Sequence, residues 1–173
     1  MRSTKGFSLL ELLIVVAIIL VIAAIAIPNL LESRISANEA SAVGSLRAMT
    51  SAEITYYNVY PSVGFASLIG NLGGADPCTA ASSVTACLID NSLASATVGS
   101  GGKSGYFFQA TGISSSGSLN GNYVIGAAPL QMRTTGNHDY CSVADGVLRS
   151  QMGNPGDVPV TQLAPCLAFD VAQ

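Results

Sequence analysis

Lys5-Gly6-Phe7-Ser8-Leu9-Leu10-Glu11-Leu12, continued by unbroken apolar residues from Leu12 to Ile27, is the stretch that decides the architecture. Wound as a helix, the run from Phe7 to Ile27 is about 30 Å long, enough to cross a bilayer core. Arg2 and Lys5 precede it, and Glu11 is the one charge inside it. Positive charge ahead of a span holds the N-terminus in the cytoplasm, so the bulk of the chain is expected on the far side of the membrane.

Two ordinary readings compete. Ala24-Ile25-Ala26 resembles a signal peptidase site, but the apolar run outlasts the usual h-region and Pro28 sits just past that cut. A plain membrane anchor gains nothing from Glu11. A carboxylate near the edge of the bilayer costs a few kcal/mol, less than at its centre, and marks a functional residue by default.

Working outward, apolar positions recur at helical spacing after Pro28: Leu31, Ile35, Val43, Leu46, Met49, Ile54, Tyr57 and Tyr60. The sequence therefore predicts one helix from Phe7 to Tyr60, roughly 80 Å long, stopped by Pro61. Pro28 and Gly44 are its weak points, because proline frees a carbonyl and glycine adds backbone freedom. Residues 61–104 read as a turn-rich linker standing apart as a flap, with a short helix at Leu88–Ala94. Strands are expected at Gly105–Thr111, Asn122–Ala128, His138–Val143 and Val147–Met152, the last two joined by the Asp145-Gly146 turn. The tail, 153–173, reads as irregular. The fold class is α+β, a long N-terminal helix packed on a C-terminal antiparallel sheet. The divisions are 1–6 leader, 7–28 membrane half of the helix, 29–60 amphipathic half, 61–104 linker, and 105–173 sheet with its terminal loop.

The chain has 173 residues, 49% of them hydrophobic and only 10% charged, with a net charge of −3. An acidic exported domain is a poor match for sequence-independent phosphate binding, so no nucleic acid partner is expected. Cys78, Cys87, Cys141 and Cys166 form no C-x-x-C, and His138 is the single histidine. Zinc needs clustered ligands, so no metal is assigned. An even cysteine count behind an export segment indicates two disulfides. Local pairing, Cys78 with Cys87 and Cys141 with Cys166, is the expectation. Four cysteines allow three connectivities, and spacing leaves the crossed ones open.

The junction Lys5-Gly6-Phe7-Ser8-Leu9-Leu10-Glu11-Leu12 resembles the class III signal of type IV prepilins and the related type II secretion pseudopilins. The resemblance is specific over residues 5–31 and weakens beyond to an architecture of long helix, linker, antiparallel sheet and Cys-bounded terminal loop. It implies cleavage between Gly6 and Phe7 by a prepilin peptidase and N-methylation of Phe7. It gives Glu11 the role of pairing with the Phe7 amine of a neighbouring subunit, and it aligns Pro28 with the helix proline of the family. The implied partners are identical or related pilin subunits, the peptidase and an inner-membrane assembly platform. The implied location is the inner membrane before assembly, as a single span with a cytoplasmic N-terminus, and an extracellular pilus after it.

Three motifs tempt a catalytic or binding reading. Gly99-Ser-Gly-Gly-Lys103-Ser104 suggests a phosphate loop, but Thr97 stands where the first glycine is required and a strand follows. His138-Asp139 suggests a base and its orienter, but neighbours on a strand point to opposite faces. Asp139, Asp145, Asp157 and Asp170 match no EF-hand spacing and read as solvated turn residues. No catalytic residue and no cofactor is assigned. The leading reading is a structural subunit of a type IV pilus. The alternatives are a pseudopilin of a periplasmic pseudopilus and a membrane-anchored ectodomain that binds a ligand without polymerising.

Overall fold

A computed structural model describes residues 6–117 and 119–172. Helix α1 runs Leu9–Val59 without interruption and carries Pro28 inside it. The chain divides into two compact units, residues 1–34 and 35–173. In the first unit the apolar side chains have no cover: Leu9 through Leu31 are exposed almost throughout.

The second unit has its own core. Along α1, Ala42, Leu46, Met49, Ala52 and Tyr56 recur every three or four residues and are buried. They meet the sheet, whose strands are β1 (Tyr106–Ser116), β2 (Leu119–Pro129), β3 (His138–Val143), β4 (Arg149–Met152) and β5 (Asp170–Val171). Each strand pairs antiparallel with the next, in the order β1-β2-β3-β4-β5. Tyr106, Phe108, Ala110, Tyr123, Ile125, Ala127 and Tyr140 face the helix.

Three expectations need correcting. Residues 61–104 are no flap: Ala66, Ile69, Leu72, Ala86, Leu93 and Ala96 belong to the same core as α1 and the sheet. Two short helices, α2 (Ile69–Leu72) and α3 (Asn91–Ala94), pin this segment. The Ala86, Cys87 and Leu88 amides donate to the carbonyls of Asn71, Gly73 and Leu72 at 2.7–2.9 Å. β1 and β2 also reach further than expected, into the Ser/Gly-rich stretch, where Asn120 anchors the linker. Its Nδ2 donates to the Phe65 carbonyl at 2.9 Å and to Ser67 Oγ at 3.0 Å.

The tail is ordered as well. A fourth helix, α4 (Leu163–Leu167), and β5 follow the segment that crosses the sheet face opposite α1. Val124, Cys141, Val143, Cys166 and Phe169 form a second core there. Both faces of β2 are therefore buried from Tyr123 onward. Gly126 shows how close the crossing is, because a Cβ there would lie 2.5 Å from the Val160 carbonyl oxygen. Only glycine leaves room for the main chain to pass.

Candidate functional site: the N-terminal junction and the disulfide-bounded sheet

The junction starts where the helix starts. Ser8 precedes α1, and its Oγ accepts from the Leu10 amide at 3.3 Å. Glu11 reaches back, its Oε2 accepting from the Ser8 amide at 3.0 Å. The two bonds differ from a full capping box only in that Ser8 takes the Leu10 amide rather than that of Glu11, and they satisfy amide groups that a helix start otherwise leaves unpaired. The Ser8-Leu-Leu-Glu11 spacing is the sequence signal from which this local role of Glu11 can be read. Phe7, just ahead, is 86% exposed, and Gly6 has open space around it. Residues 1–5 of the leader, Lys5 among them, lie outside the described residues.

From Leu12 to Ile27 every large apolar side chain projects outward, 47–65% exposed. Such a length of uncovered hydrocarbon is far beyond the patches that a water-soluble monomer exposes. This stretch is long and apolar enough to cross a membrane. Pro28 continues the helical path, and the Ser33 hydroxyl donates to the Asn29 carbonyl at 2.9 Å one turn later. Proline has no amide hydrogen, so the carbonyl four residues before it lacks its usual helical donor.

In the second unit, Cys78 joins Cys87 with Cα atoms 6.2 Å apart, and Cys141 joins Cys166 at 5.8 Å. The first pair sits in the linker, with Cys78 exposed. The second lies wholly inside, tying β3 to α4 in the second core.

The tempting motifs resolve into structural contacts. Lys103 Nζ lies 3.1 Å from Asp90 Oδ2, at the start of α3, and the glycine loop leads into a strand, β1, rather than opening a helix. Ser92, Lys103 and the Leu93 amide hold the Asp90 carboxyl down to about 2, the Ser92 hydrogen bond foremost. His138 Nδ1 sits 3.1 Å from Glu39 Oε1, which also accepts from the Asn137 amide at 2.7 Å. Asp139 points the other way. It is 4% exposed, not a solvated turn residue, and burial first and the facing Asp157 carboxyl second push it up to about 7. Asp145 does sit in a turn, where Arg149 lowers its pKa through a side-chain hydrogen bond. Among the described residues, no group of three or more His, Cys, Asp or Glu side chains gathers to hold a metal. The aromatic cluster at the helix end packs as a chain of rings, Tyr57 on Phe65 and Phe65 on Tyr123, each at 4.8 Å between centroids.

Known proteins match at the front of the chain. Residues 1–27 match the prokaryotic N-terminal methylation motif. Over 39 residues, 22% of this chain, it is 62% identical to the type IV wide pilus major component PilA4 of Thermus thermophilus, spanning 30% of that protein. Over 54 residues, 31% of this chain, it is 41% identical to the type IV major pilin protein PilA of Myxococcus xanthus, spanning 24% of that protein. The chain thus spans less than a third of the length of the curated relatives it matches. No solved structure matches.

Proposed function

We propose that this chain, type IV pilin-like by its methylation motif and its relatives, is a structural subunit of a type IV pilus. The observation that carries the reading is the uncovered apolar helix. It begins just after the Gly6-Phe7 pair and is borne by a chain whose residues 35–173 already possess a closed core. The apolar surface must be covered, first by lipid and then by the same helix of other copies. Packing in which one surface meets a different surface grows as a helical filament when its rotation does not close into a ring.

In this scheme a prepilin peptidase cuts between Gly6 and Phe7, Phe7 is N-methylated, and an inner-membrane platform delivers subunits to the filament. Glu11 then has two successive partners. In the free subunit it caps its own helix. In the filament it pairs with the Phe7 amine of a neighbour, which fixes the axial register of an otherwise smooth apolar rod. A buried pair of this kind contributes register rather than net stability. Pro28, which leaves the carbonyl four residues before it without its helical donor, is the place where the helix yields during packing.

The buried Cys141–Cys166 bond supports pilus over pseudopilus, because a disulfide-bounded terminal loop is the pilin-like version of this architecture. The test is electron microscopy of sheared surface fibres combined with mass spectrometry of their main band. The expected result is this chain as a principal component, beginning at N-methylated Phe7. Fibres without the chain, or a mature chain that begins at Ile27 or retains Met1, would refute the proposal.

A further inference from the structure

The core of the second unit contains, besides Asp139, an acid that no cationic side chain among the described residues neutralises. Glu53, on the buried face of α1, is fully buried. Its Oε2 accepts from the Ala66 amide of the linker at 2.9 Å. Its Oε1 is buried without a partner, and so is the hydroxyl of Tyr123, on β2. The titratable groups that sense it are Tyr56 on α1 and Tyr123 on β2, the first also sensing Tyr60 just past the end of α1 and the second Asp145. The linker segment 61–72 supplies none. No cationic side chain acts on the carboxyl; burial dominates and the Ala66 amide is the one opposing influence.

A single amide does not compensate a buried charge, which costs several kcal/mol when left unpaired. A neutral carboxyl suits the site better. It keeps the bond from Ala66 and gains a donor, in a core where the Tyr123 hydroxyl lacks a partner.

We propose that Glu53 is a proton-operated latch that holds the linker on α1, closed while the carboxyl is neutral and released when it ionises. Ionisation draws the carboxylate toward water, and the route to water lies through the segment it tethers. Ala66, Ile69 and Leu72 would lift from the core together, since they are neighbours on that segment. Exposed Leu68 sits beside them, so the outer surface of the linker would change with pH. The latch concerns the second unit and stands whether or not the chain forms pili.

Hydrogen exchange of the full chain in detergent micelles tests it, with rates corrected for intrinsic pH dependence. The carboxyl sits at about 7 when closed against an ordinary 4.5. Linkage through those values predicts that protection of peptides within 61–73 falls about 30-fold from pH 5.5 to pH 8.5. Peptides of β3 and 153–157 are read separately, because Asp139 also titrates. Glu53→Gln should flatten the linker response, and Glu53→Met serves if that variant does not fold. A wild-type change below about 3-fold, or a pH response that persists in either variant, would overturn the latch.

Discussion

Removing the Cys141–Cys166 bond offers the sharpest check on how the second unit is held together. The bond closes a loop of sequence separation 25, whereas Cys78–Cys87 closes one of 9. Loop-closure entropy assigns about 3.5 kcal/mol to the longer loop and about 2.6 kcal/mol to the shorter. The gap widens on structural grounds. Cys141 and Cys166 are fully buried against Val124, Val143 and Phe169, so truncating both to alanine also removes packed atoms. Cys78 is exposed, and its loss leaves no cavity. For a unit of this size, 3.5 kcal/mol corresponds to a drop of about 12 °C in Tm. The assay is thermal unfolding of the full chain in micelles, followed by near-UV circular dichroism of the core tyrosines. Cys141→Ala/Cys166→Ala should fall by at least that amount, and Cys78→Ala/Cys87→Ala by visibly less. Equal losses, or the reverse order, would refute the view that the terminal segment is an integral second core.

Two further outcomes follow. Glu11→Ala should leave membrane insertion and cleavage intact, since the segment becomes more apolar, but should reduce filament yield by an order of magnitude or more; normal yield in a shearing assay would remove Glu11 from assembly. Asp139 is raised from 3.8 to about 7 by burial, so its neutral form favours the folded state. That stability is fully present below about pH 4 and is lost as pH rises through 7. Asp139→Asn should abolish this share of the decline in a comparison of melts at pH 5 and pH 8.

Much of the fold was legible because long elements declare their period. The 51 residues of α1 follow from an unbroken apolar run and then a 3.6-residue stripe. Tyr106–Ala110, Tyr123–Ala128 and His138–Val143 carry the aromatic and branched residues that strands favour. The linker hid its burial because Ala66, Ala86 and Ala96 are small and aperiodic, and its hydrogen bonds run between turns. The tail hid its order because β5 has two residues and α4 five, too short for any period. At the candidate site, Gly6, Phe7 and Glu11 stood out by charge and position, but the capping role of Glu11 did not. Glu53 was indistinguishable from a surface residue of an amphipathic helix. Only the linker packed over it reveals an acid in the core.

The sheet is a meander in which each strand pairs with its neighbour in the chain. A polypeptide that folds from its N-terminal side has no strand that must wait for a later one to be inserted beside it. β1 and β2 can close as a hairpin before β3 joins, and each following strand adds to a free edge already formed. Such successive pairing of chain neighbours limits how long an open edge stays exposed. Cys166 arrives last of the four cysteines, so the bond that locks the second core forms on a sheet that is already complete through β4.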